Sequence, residues 1–264
     1  MYDFTYHKPT SVTAALETQS GADDGQFIAG GQTIIPVMKQ RLAMPSDVVD
    51  LGAIADLKGI AVSDGIVSIK AMTPHAAVAA SSDVKGAIPA LAELASLIGD
   101  PHVRNRGTIG GSIANNDPAA DYPAAVLGLG ATVRTDRREI AGDDFFLDIF
   151  ETALEDGEMI TAVDFPVPEA AAYIKFPNPA SRFALVGVFV SRGAGGIRVA
   201  VTGAGPCVFR ITEMEQALAV NFSPDAIVGI DVPADGLNTD IHASAEYRAH
   251  LVKVLAGRAV AKIA

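Results

Sequence analysis

The chain has 264 residues, of which 49% are hydrophobic and 19% charged, enough apolar content and length for about two domains with more than one core, and this excludes global disorder. Lys and Arg number 20 against 31 Asp and Glu, a formal net charge of −11. That balance argues against general nucleic-acid binding and against docking on an anionic membrane, because both reward basic excess.

In chain order, Phe4–Tyr6 alternates like a short strand, and Pro9-Thr10-Ser11 opens a helix with Ser11 as cap and Gly21 as its end. Gln26–Ala29 reads as a strand, Gly30-Gly31 as a break and Ile34–Leu42 as a helix, with a further strand at Val48–Leu51. Ser63-Asp64-Gly65 between Ile60–Val62 and Ile66–Ile69 is a hairpin signal. Helices are expected at Pro74–Ala80, Ile88–Leu97 and Asp121–Leu129, the last two separated by a long loop rich in Gly, Asn and Asp. Strands follow at Ala131–Arg134 and Ile160–Phe165. Prolines 166, 168, 177 and 179 then surround an alanine run, which marks a domain boundary. Beyond it come strands at Ala184–Val190, Ile197–Val201 and Val208–Arg210 and a helix near Thr212–Val220. In the terminal helix, Tyr247, Leu251, Val254, Leu255, Ala259 and Ile263 share one face and read as the packing stripe of a small domain.

One cysteine makes no internal disulfide and cannot by itself hold an iron–sulfur cluster or a Cys-rich zinc site. Met1–Tyr6 lacks the basic-then-apolar order of a secretory signal, and apolar runs such as Phe183–Val190 are strand-sized. A soluble protein of a reducing compartment is expected.

Two glycine loops depart from ordinary packing chemistry. Ile28-Ala29-Gly30-Gly31-Gln32-Thr33-Ile34 leads from a strand into a helix, so its backbone N–H groups can converge on one anion, with the Thr33 hydroxyl beside them. A tight turn that needs glycine for geometry alone fits the same residues equally well. Arg104-Asn105-Arg106-Gly107-Thr108-Ile109-Gly110-Gly111-Ser112-Ile113-Ala114-Asn115 gathers hydroxyls, amides and two arginines around three glycines. The arginines either offset a bound diphosphate or pair with surface carboxylates. Two such loops suggest a dinucleotide held between two lobes. No Walker-type phosphate loop is present. Gly203-Ala204-Gly205 lacks the third glycine of a Rossmann turn, and Gly110–Ala114 ends in alanine where a nucleophile elbow needs glycine. The five histidines, His7, His75, His102, His242 and His250, match no metal-ligand spacing and read as solvated or capped.

Ala29–Pro36 with Lys39-Gln40-Arg41-Leu42, then Gly99–Ala114 continued by Asp117–Pro123, then Asp240–Arg248, closely resemble in order the FAD-binding medium subunits of the molybdenum hydroxylase family, which includes xanthine dehydrogenase and aerobic carbon monoxide dehydrogenase. The resemblance implies an α+β chain: a bilobal FAD-binding domain of the vanillyl-alcohol-oxidase/p-cresol-methylhydroxylase type over 1–170, with lobes of about 1–57 and 58–170, and a small C-terminal α+β domain over 171–264. It implies non-covalent FAD held by Ile28, Ala29, Gly30, Gly31, Gln32, Thr33 and Ile34 and by Thr108, Ile109, Gly110, Gly111, Ser112 and Asn115. Asp121, Ile160 and Lys175 are expected near the ribityl or flavin end. Read from the residues alone, Asp121 is equally a helix cap, Ile160 a core residue and Lys175 an exposed strand lysine. The resemblance also implies a large molybdenum-binding partner and a small partner carrying [2Fe-2S] clusters, in a dimer of heterotrimers that is cytoplasmic or peripheral at the inner membrane face. Gln32-Thr33 stands where the carbon monoxide enzymes carry histidine-serine, and His102 replaces a glutamine, so carbon monoxide itself does not follow as the substrate. A stand-alone FAD oxidase or dehydrogenase, a binding module for a phosphorylated ligand and a nicotinamide dehydrogenase are the competing readings.

Overall fold

The computed structural model describes all residues 1–264. Its first part runs β1 (Thr5–His7), α1 (Val12–Ser20), β2 (Gly25–Ile28), α2 (Ile34–Lys39) and β3 (Asp47–Asp50), with two single 3-10 turns to Leu57. The strands form a parallel sheet ordered β1-β3-β2. Ser11 caps α1 as expected, its side chain accepting from Ala14 N at 3.2 Å. α2 is shorter than the sequence suggests. It stops at Lys39 because Arg41 takes a left-handed φ of 60° that no helix continues through.

The second part contains β4 (Ile60–Ser63), β5 (Ile66–Lys70), α3 (His75–Ala80), α4 (Ser82–Ala87), α5 (Pro89–Ser96), α6 (Pro101–Arg106), α7 (Ile109–Asn115) and α8 (Tyr122–Leu129). It continues with β6 (Thr132–Thr135), β7 (Glu139–Ala141), α9 (Gly142–Phe145), β8 (Phe146–Asp148), β9 (Glu151–Thr152) and β10 (Ile160–Pro166). An antiparallel sheet ordered β4-β5-β10-β6-β7 carries it. The stretch expected as one long loop is instead two short helices. Asp100 caps α6 by accepting from Val103 N at 2.9 Å, and Thr108 caps α7 by accepting from Gly111 N at 3.2 Å. Glycine content hid α7, since three of its seven positions are Gly or Ser and its helicity rests on that cap.

The third part is β11 (Ala170–Pro177), β12 (Ala184–Gly193), β13 (Gly196–Thr202), β14 (Phe209–Arg210), α10 (Thr212–Val220) and α11 (Ala245–Ile263), with the strands in one antiparallel sheet in that order. Ala184 to Ser191 of β12 are all buried because both faces of the sheet are covered. Phe189 and Tyr173 join the core of the second part, and Val186, Val188 and Val190 join a separate core with α10 and α11. α8 lies on the first face, and every one of its eight residues is buried, as for a helix with no solvent side. The stripe of α11 is rotated from the expected one. Tyr247 is exposed, while Arg248 is buried and donates to Leu185 O at 2.7 Å, Gly203 O at 2.9 Å and Asp240 Oδ2 at 2.6 Å. A guanidinium with three acceptors within hydrogen-bond reach outcompetes an aromatic ring for the inner position. No helix is long and apolar enough to cross a membrane. The expected α+β architecture is observed.

Candidate functional site

The two glycine loops touch. A Cβ on Gly30 would stand 2.1 Å from Arg106 O and 2.8 Å from the Gly107 Cα, so only glycine permits the first loop to lie against the second. Gly31 holds φ at +75°, which turns the chain from β2 towards α2. The backbone N–H groups of Gly31, Gln32 and Thr33 donate to no group of the chain, leaving three successive donors free in a glycine turn. α2 has only six residues, so these amides matter more than any helix dipole.

The second loop differs from expectation. Ile109 N donates to Thr73 O at 3.3 Å, Gly110 N to Ala71 O at 2.9 Å, Gly111 N to the Thr108 hydroxyl and Ser112 N to Thr108 O at 3.0 Å. Its amides fasten α7 to the end of β5. The Thr108 N–H, which donates to no group of the chain, and the side chains, chiefly the Ser112 hydroxyl and the Asn115 amide, are left to meet a ligand. Gly110 is glycine because a Cβ would press on Ala71 Cβ at 2.6 Å, a packing reason.

Between these loops opens a cavity of about 640 Å³, within the range of small-molecule and cofactor sites. Ala29, Gly30, Gly31, Gln32, Thr33, Ile34, Thr108, Gly110, Gly111, Ser112, Asn115, Asp121 and Ile160 line it. Ile28, Ile109 and Lys175 do not. Ile28 packs its Cδ1 beneath Gly31, Ile109 is fully buried in the core, and Lys175 sits one layer behind the wall. There its Nζ donates to Asp121 Oδ2 at 2.9 Å and to Leu97 O at 3.2 Å, so it is no exposed strand lysine. Asp121 is no helix cap either: its other oxygen accepts from Tyr173 OH at 2.6 Å. Burial pushes the Asp121 carboxyl above the usual range, with Lys175 and Tyr173 opposing that rise.

The third part of the chain also supplies a wall. Ser181, Arg182 and Phe183 reach the cavity, and Arg182 has a left-handed φ of 63°. The Asp117–Asp121 segment opposite is stitched to the same sheet by Gly203 N and Thr202 Oγ1 on Pro118 O, Thr202 Oγ1 on Ala120 O and Ala184 N on Ala119 O. Sequence reading missed Ser181, Arg182 and Phe183, and also His75, Ile98 and Glu158 of the wall. No local motif marks them, because long-range pairing brings them there. His75 is buried rather than solvated, and burial with Arg104 nearby lowers its pKa to about 4. Arg104 neither faces the cavity nor pairs with a carboxylate. Its Nη1 donates to Ile98 O at 2.9 Å and Gly99 O at 3.1 Å. No group of three or more His, Cys, Asp or Glu side chains is placed to hold a metal ion.

A cavity with free glycine-loop amides, hydroxyls opposite and mainly apolar walls farther along is the form of a site for a phosphate-bearing aromatic cofactor. Residues 2–168 match the family described as FAD binding domain in molybdopterin dehydrogenase. The nicotine 6-hydroxylase medium subunit of Paenarthrobacter nicotinovorans is 35% identical, covering 97% of this chain and 95% of that one. The carbon monoxide dehydrogenase medium chain of Hydrogenophaga pseudoflava is 35% identical, with 97% and 96% covered. Among solved structures, carbon monoxide dehydrogenase from H. pseudoflava superposes with a TM-score of 0.88 at 33% identity, over 99% of this chain and 98% of that one. Quinoline 2-oxidoreductase from Pseudomonas putida 86 gives 0.89 at 28% identity, over 98% and 96%. The chain belongs to the FAD-binding medium subunits of the molybdenum hydroxylase family, an oxidoreductase family.

Proposed function

We propose that this chain is the flavoprotein electron-transfer subunit of a molybdenum hydroxylase complex. It passes electrons from [2Fe-2S] clusters on a small partner subunit to a quinone, oxygen or NAD acceptor. The substrate is oxidised at a molybdenum cofactor on a large partner, and the assembly is a cytoplasmic dimer of heterotrimers. When bound, the flavin supplies the exchange between single-electron and paired-electron transfer. The chain's residues supply position and electrostatics, and none acts as acid, base or nucleophile.

The observation that carries this reading is the set of three free amides at Gly31, Gln32 and Thr33 in a cavity faced by Ser112 and Asn115. In this arrangement the amides and the Thr33 and Ser112 hydroxyls hold the diphosphate of non-covalent FAD. Asp121, fixed by Tyr173 and backed by Lys175, stands with Ile160 at the ribityl or flavin end. Ile28, Ile109 and Lys175 act by supporting the wall. The division near residue 170 puts both glycine loops in the first domain and Ser181–Phe183 in the second, so FAD is bound across that division. The chain's single cysteine agrees with clusters housed elsewhere.

Native co-purification with an absorbance spectrum and metal analysis tests the reading. Flavin, molybdenum and iron recovered together with two further chains support it. A flavin-free chain, or one that turns over a substrate without partners, overturns it.

A further inference from the structure

His75 is 4% exposed; its Nδ1 is buried with no hydrogen-bond partner, and its Nε2 makes no hydrogen bond within the chain but is not sealed. The orphaned Nδ1 lies beyond the reach of a ligand in the cavity, so the ring nitrogen that a ligand can pair with is Nε2. Its Nδ1 is sealed from solvent, while the residue as a whole lines the cavity. The backbone fixes where the ring lies. His75 N donates to Gly107 O at 3.0 Å, and Pro74 bridges Thr108 beside it. A Cβ on Gly107 would come within 2.6 Å of Nε2, so the absence of a side chain there keeps that nitrogen uncovered. Gly30 presses on the same Gly107 from the other loop. The imidazole therefore sits at the junction of the two glycine loops and lines the same cavity as the residues with the free amides. On its other side it packs on Tyr122 at 5.3 Å between ring centroids, which holds its orientation.

We propose that His75, as a neutral imidazole, donates a hydrogen bond from Nε2 to a diphosphate oxygen of FAD. The proposal rests on the assignment of the cavity to FAD. Burial and the nearby Arg104 keep the ring uncharged at physiological pH, so it carries one proton. Nε2 is the nitrogen beside the loop junction, and with Nδ1 sealed a proton on Nε2 gives the only ring N–H that can meet a ligand in the cavity. A neutral donor also leaves no buried cation to be balanced when the ligand is absent.

The test compares wild type, His75→Gln and His75→Leu as the full chain and within the complex co-expressed with its partners. Fluorescence titration with FAD reads affinity, and circular dichroism checks folding. Gln offers an amide N–H at similar reach, whereas Leu fills the space without a donor. His75→Leu is expected to weaken FAD binding about tenfold or more, and His75→Gln to stay within about threefold of wild type. In ¹⁵N-histidine-labelled protein, FAD should move the Nε2–H resonance that disappears in His75→Gln. Unchanged affinity in a folded His75→Leu variant, a His75→Gln variant as weak as His75→Leu, or a motionless resonance overturns the proposal. A wild type that binds no FAD in either form instead removes the cofactor assignment, which is a separate result.

Discussion

Lys175 Nζ lies 2.9 Å from Asp121 Oδ2, so a strand of the C-terminal sheet is ion-paired to the residue that opens α8 in the cavity wall. Both side chains are almost fully buried, at 3% and 4% exposure, and Tyr173 OH completes the carboxylate. Removing one member of such a pair leaves an uncompensated charge in the interior, which costs ~3–5 kcal/mol. Lys175→Met is therefore expected to lower the midpoint of thermal unfolding by on the order of 10 °C. Lys175→Met with Asp121→Asn should recover part of the loss, because no lone charge remains. Calorimetry on both variants checks this, and equal losses would show that the pair is not coupled.

The free amides at Gly31, Gln32 and Thr33 give a second expectation. At Gly31 the φ of +75° strains any L side chain, and a Cβ would stand 2.6 Å from Ile35 Cδ1. Backbone strain of this kind costs ~1–3 kcal/mol, so Gly31→Ala should weaken FAD binding by about tenfold or more. Gly31→Asp adds a negative charge where the diphosphate belongs and should abolish flavin retention. Flavin absorbance per folded chain measures both. Full yellow occupancy in a folded Gly31→Asp variant would refute the assignment of this loop to the diphosphate.

Both loops could be read from sequence because each carries its reason locally, in paired glycines beside a hydroxyl. The same composition misled at Ile109–Ser112, where the residue types are right for anion binding but the amides bond to Thr73, Ala71 and Thr108 instead. Whether an N–H is free depends on what lies across from it, and the acceptors Thr73 and Ala71, just past β5, lie 36 and 39 residues earlier than their donors in the chain. His75, Glu158 and Arg182 reach the wall by similar long-range pairing, so no spacing pattern announces them. Arg248 shows the limit of periodicity: a 3.6-residue stripe chose Tyr247, and three acceptors turned the helix to bury the arginine.

Acid should loosen the cavity wall at Glu158. Arg138 donates to both of its oxygens at 3.0 and 2.9 Å, Thr135 Oγ1 adds a bond at 2.7 Å and Glu155 N one at 2.8 Å. Led by the Arg138 hydrogen bonds, these hold its carboxyl at about 2, against an ordinary value of 4.5. The folded-state pKa is depressed, so the stabilisation is complete above about pH 4.5 and is lost as pH falls towards 2. Half-exposed Arg138 is partly screened, so the contribution is on the order of 2–3 kcal/mol. Glu158→Gln should remove most of it at pH 7 and flatten the acid limb between pH 5 and 2. Urea midpoints measured across roughly that range check the sign. A Glu158→Gln variant as acid-sensitive as wild type would place the acid response elsewhere.

Arg104 separates two roles that its sequence position leaves open. Its guanidinium holds Ile98 O and Gly99 O, carbonyls of residues that line the cavity, and Gly99 is itself at a left-handed φ of 48°. A charged donor on a part-buried carbonyl contributes ~1.5–3 kcal/mol, so Arg104→Met should cost about 2 kcal/mol of stability and loosen FAD by slackening that turn. If the arginine acts in this way, its loss leaves the salt dependence of FAD binding unchanged, because no phosphate charge is being neutralised by it. An arginine that paired with the diphosphate would behave differently: affinity would fall steeply with added salt in wild type, and that slope would shrink in Arg104→Met. FAD titrations at low and high ionic strength on the two proteins distinguish the outcomes, and the two bonds to Ile98 and Gly99 predict parallel lines.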